Sequence, residues 1–214
     1  MAITKVLSNV VVRGIWNVAI FSHEWLNLHE VAPKLEPNVV PEAIWVPQTG
    51  QQILQYPNQM TWAIDPNSLE IKIVDDWSDC SSYASGILKL LPHTPIQAVG
   101  TNFVFNCPIP EWPQSMFPAL GEYSVINPKE DATCTVSSAK WAGVLQLEPN
   151  PLSAKVTLTV SQKNDRNSIA AWINVHHAVN NSQEAIRITE SWEEDKALAN
   201  KVIQECLKLD LKTK

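Results

Sequence analysis

Glycine is scarce in this chain, with six in 214 residues. Phosphate loops and dinucleotide fingerprints need several glycines at fixed spacing, and neither pattern occurs. Arginine is scarcer still, at Arg13, Arg166 and Arg187. The formal net charge is −6. Duplex binding rests on neutralising phosphates with Lys and Arg, so no nucleic-acid partner is expected. The four cysteines, Cys80, Cys107, Cys134 and Cys206, lack CxxC or Cys/His zinc spacing. No apolar run approaches the ~20 residues that span a bilayer. The stretch Val10–Val12 is cut by Arg13 and carries no signal-peptide pattern. These absences predict a soluble cytoplasmic protein with reduced thiols, no cofactor and no membrane partner.

Hydrophobic residues are plentiful, at 45% against 18% charged, which places the chain among folded globular proteins. A chain of this length can bury a core without disulfides or metal. Nine Trp and fifteen Pro stand out. Most Trp are expected in the core, with some lining a binding surface.

The pattern along the chain reads as alternating strands and helices. Asn9–Trp16 predicts a first strand. Ser22 predicts a helix cap, with Phe21 and Leu26 as a staple and a helix to about Val31 with Leu28 inward. Strands follow at Ala43–Val46, Gln52–Gln55, Thr61–Ile64 and Leu69–Val74, with a hairpin turn at Asp65–Ser68. Cys80, Tyr83, Ala84, Ile87, Leu88 and Leu91 recur at helical spacing, capped by Ser78 or Asp79 and stopped by Pro92.

A second round begins near Gln97. Val99, Thr101, Phe103 and Phe105 share one face of a strand, and Gly100 within it predicts a bulge or a close backbone approach. The Pro-rich stretch Cys107–Pro118 predicts a loop, with Cys107 the least buried cysteine. Glu122–Ile126, Thr133–Leu147 with a bulge at Gly143, Ala154–Ser161 and Ser168–Ala178 predict further strands. Ser191 and Glu194 spell a capping box for a last helix over Trp192–Leu209.

Both halves thus read strand, short connection or helix, several strands, helix. The fold class expected is α+β: a two-layer, predominantly antiparallel sheet covered by helices, built from a duplicated unit. The halves, residues 1–94 and 95–214, should pack as one globular domain. This order of elements is similar to that of the saddle-shaped domains of TATA-binding proteins. There, two units join edge to edge into one curved sheet. The likeness is of element order alone: no residue matches that family, and the charge opposes its DNA-binding role.

Candidate chemistry is thin. His176 and His177 are strand neighbours and must point to opposite faces. Trp172, Asn174 and His176 share one face and form a candidate binding strip. His23 and His29 are six apart, which is not the one-face spacing of HExxH. Asp75, Asp76 and Asp79 precede a helix and suit its dipole better than a metal. No G-x-S-x-G occurs. The expected function is a non-enzymatic binding or assembly protein acting through protein–protein contacts or self-association, including a homodimer. The contacts would use the outward strand faces, the last helix and the loop residues Trp112, Met116 and Phe117. The alternative is a small-molecule-binding protein or enzyme using Trp172, Asn174 and His176.

Overall fold

The computed structural model describes residues 3–36, 38–57, 59–74, 77–108, 140–145, 154–162 and 168–206. In β1 (Thr4–Gly14), Ser8, Val10 and Val12 are buried, Asn9 and Val11 half-buried and Arg13 exposed. That is the period of a strand with one covered and one open face. The strand starts at Thr4 rather than Asn9, because Thr4 and Lys5 pair with Asn106 and Phe105. Long-range pairing extends it beyond the local Val-rich run.

The α1 helix (His23–Leu28) is capped by Ser22, whose Oγ accepts the Trp25 amide at 3.1 Å. Phe21 and Leu26 are both buried, as a staple requires. Glu30 turns left-handed at φ 57°, which stops the helix before Val31. Leu28 is exposed rather than inward. In so short a helix it lies about 200° around from Leu26, which takes the one core-facing position.

Four strands then form an antiparallel meander: β2 (Glu42–Val46), β3 (Gln51–Gln55), β4 (Met60–Asp65) and β5 (Ser68–Val74). Asp65 holds the last turn, accepting the Asn67 amide at 2.7 Å and the Ser68 hydroxyl at 2.6 Å. The helix α2 (Ser81–Leu90) follows. Asp79 caps it, its Oδ1 accepting the amides of Ser81 and Ser82 at 2.8 and 3.2 Å. Cys80, Ala84, Ile87 and Leu88 are buried along the expected stripe. Burial pushes the Cys80 thiol far above its ordinary pKa, so this is a packed rather than a reactive sulfur.

The second unit contains β6 (Ile96–Pro108), β7 (Lys140–Leu145), β8 (Lys155–Gln162) and β9 (Ser168–Ala178). Val99, Thr101, Phe103 and Phe105 are buried on one face of β6. Cys107 continues that face and is fully buried, not the accessible cysteine expected, because the strand runs on through it. Gly143 pairs with Leu158 in unbroken register, so it marks no bulge. Gly100 also passes without a register shift. A Cβ there would sit 3.3 Å from Asn174 Nδ2, so its role is the close approach of that side chain.

The chain's end departs most from expectation. An unexpected helix, α3 (Ser182–Glu190), precedes the expected last helix, which starts at Trp192 as α4 (Trp192–Lys201) and is continued by a π-helical turn over Val202–Cys206. Residues beyond 206 lie outside the described set. The capping box at Ser191 does not form. Ser191 closes α3 as well as opening α4, and its hydroxyl donates to the Arg187 carbonyl at 3.0 Å. Trp192, Leu198, Ala199, Val202 and Ile203 are all buried.

The nine strands of the described residues join in one antiparallel sheet, in the order β2-β3-β4-β5-β1-β6-β9-β8-β7. The first strands of the two units, β1 and β6, meet at its centre. Asn9 faces Asn102, with Ser8 opposite Phe103 and Val10 opposite Thr101. Outward from that pair, each unit lays down its strands in reverse order. Helices α2 and α3 pack together over the covered face. Lys89 of α2 reaches Glu190 of α3 at 2.6 Å. This is the two-layer α+β fold. Among the described residues, no helix is long and apolar enough to cross a membrane.

Candidate functional site on the open sheet face

Opposite the helices, the sheet carries a row of polar side chains that runs across the strands. Thr61, Lys72, Asn9, Asn102, Asn174 and Thr157 face one another in sequence through the cross-strand register. Three amides within this row are chained. Asn174 Nδ2 donates to Asn102 Oδ1 at 2.9 Å, Asn102 Nδ2 to Asn9 Oδ1 at 2.6 Å, and Asn9 Nδ2 to Glu70 Oε1 at 2.6 Å. All three amides thus point the same way, toward the Glu70 carboxylate. Such a chain holds its members in one rotamer, and each bond polarises the next.

The strip Trp172, Asn174, His176 lies on this face, as predicted. Trp172 sits between Val104 and Thr159 and remains 36% exposed. His176 is exposed and sits between Gly100 and Lys155. Partial burial, then the neighbouring His177 and Lys155, hold its pKa below the ordinary histidine value. The ring is therefore neutral at neutral pH, able to donate one hydrogen bond and accept another.

His177 goes to the other face, only 3% exposed, where it joins a group the sequence did not reveal. Its Nε2 lies 2.9 Å from Asp195 Oδ1, and Thr101 Oγ1 donates to Asp195 Oδ2 at 2.8 Å. Asp195 comes from α4, His177 from β9 and Thr101 from β6, so the group pins helix to sheet. It resembles a nucleophilic triad only in composition. There the imidazole stands between hydroxyl and carboxylate, whereas here the carboxylate stands in the middle. Thr101 Oγ1 meets the carboxylate rather than the imidazole, and all three side chains are sealed from solvent. His177 Nδ1 is buried without a hydrogen-bond partner.

The other candidates separate. His23 packs edge-on to Tyr56, and His29 packs against Trp25. Asp79 is a helix cap, while Asp75 and Asp76 lie outside the described residues. Among the described residues, no three His, Cys, Asp or Glu side chains gather to hold a metal ion. Trp112, Met116 and Phe117 also lie outside the described residues, as does the expected strand Glu122–Ile126. Trp16, Trp62, Trp77 and Trp192 are core residues, whereas Trp45 and Trp172 are exposed. No family model matches the chain, and no curated protein matches it either.

Proposed function

We propose that this chain is a non-enzymatic binding or assembly protein that receives a protein partner on the open sheet face, around Trp172, Asn174 and His176. The amide chain from Asn174 through Asn102 and Asn9 to Glu70 carries this reading. Asn9 and Asn102 each spend one N–H and one lone pair within it and keep one of each for an outside group. The row is held in place before any partner arrives, so little side-chain entropy is lost on binding. Trp172 beside it is an exposed aromatic of the kind that anchors interfaces. An acid–base role is less well supported, because the cross-strand neighbours of His176 are Gly100 and Lys155, and neither is a carboxylate that could orient the ring. The buried thiol of Cys80 suits a reducing compartment such as the cytoplasm.

Affinity capture from the source cell with mass spectrometry tests the reading. The wild-type chain should retain a protein that Trp172→Ala loses, while the two melting temperatures stay within a few degrees. Equal capture by both chains would remove the open face from the proposal.

A further inference from the structure

We infer that the outer edge of β2 is a self-association surface, where two copies of this chain pair antiparallel into a weak dimer. Among the described residues β2 is the last strand of the sheet, bonded to β3 on one side. On its other side, every second residue turns an N–H and a C=O outward. Such edges are ordinarily blunted by a very short strand, charged side chains, proline or a bulge. β2 is short and carries one charge, Glu42, but has no lysine, no internal proline and no bulge. It reads Glu-Ala-Ile-Trp-Val, and its register with β3 is unbroken. Trp45 is 57% exposed, and Val39 and Val40 just before the strand are exposed too.

The occupant follows from the backbone. Outward N–H and C=O groups in a row are a template for an added extended strand. Pro41 and Pro47 bracket β2 and have no N–H to donate, so the added ladder is confined to Glu42–Val46. A second β2 fits that window by symmetry. With Ile44 opposite Ile44 of the second copy, Glu42 falls opposite Val46, and Ala43 opposite Trp45. The one charge of the strand therefore never faces its own copy, and each indole lies over a small side chain. An interface this short falls well below the ~1,200 Å² of a standard stable complex, so the dimer forms only at high protein concentration.

Sedimentation equilibrium of the full chain, taken to the highest concentration it tolerates, tests this. The wild type should show a monomer–dimer equilibrium. Trp45→Lys and Ala43→Lys, both at exposed positions, should each raise the dissociation constant roughly tenfold or more while melting like the wild type. Trp172→Ala should leave the dimer unchanged, which keeps this inference separate from the open-face partner. A wild-type chain that stays monomeric throughout would overturn it. So would lysine variants that dimerise as strongly as the wild type.

Discussion

Asp195 is the residue on which most rests. Its two carboxylate oxygens serve Thr101 and His177, and nothing in the group reaches solvent. Removing the carboxylate strands two buried polar groups at once. Asp195→Ala should therefore cost about 3 kcal/mol, and Asp195→Asn distinctly less, because an amide can still bond to both partners. Urea unfolding would read this as a shift in midpoint at constant slope. A loss below about 1 kcal/mol for the alanine variant would mean that the group contributes little to holding α4. The asparagines on the opposite face were partly legible. Asn9, Asn102 and Asn174 each interrupt a run of strand-forming residues, and asparagine is depleted in strands. Their alignment was not legible, because a one-residue slip in register would send any of them to the other face.

At the scale of the element, the two helix starts make a matched experiment. Asp79 caps α2 with two amide bonds, whereas the Ser191 side chain makes no cap bond to α4. Asp79→Ala should lose about 1 kcal/mol, and Ser191→Ala less than half of that. Thermal unfolding of the two variants side by side decides it, and equal losses would contradict the geometry. The helix α2 was readable because large apolar residues recur along it. The helix α3 was not, because its buried face is built from Ser182, Ala185, Ile188 and Thr189, too few of them large and apolar to stand out. The capping-box pattern at Ser191 was present in the residues, but Ser191 closes α3 with φ −91° and ψ 28°, not the extended backbone of an N-cap, and its hydroxyl turns back to the Arg187 carbonyl.

Taken whole, the molecule is held across its middle by the β1–β6 pairing and by α2 against α3. Neither unit can open without uncovering the other's central strand edge. Calorimetry should show a single transition in which the calorimetric and van't Hoff enthalpies agree. Two resolved transitions would show that the units fold separately. The residues alone determined the α+β class, most of the strands, the cap at Ser22, a cap at Ser78 or Asp79, and which strand side chains share a face. All of these are local properties of spacing and turn chemistry. Only the tertiary structure decided that β1 and β6 meet at the centre, that three asparagines chain to Glu70, and that His177 is sealed against Asp195. These depend on which strands become neighbours and in what register. Pairing between residues up to 94 positions apart sets the neighbours and the register, and no local window of sequence contains it.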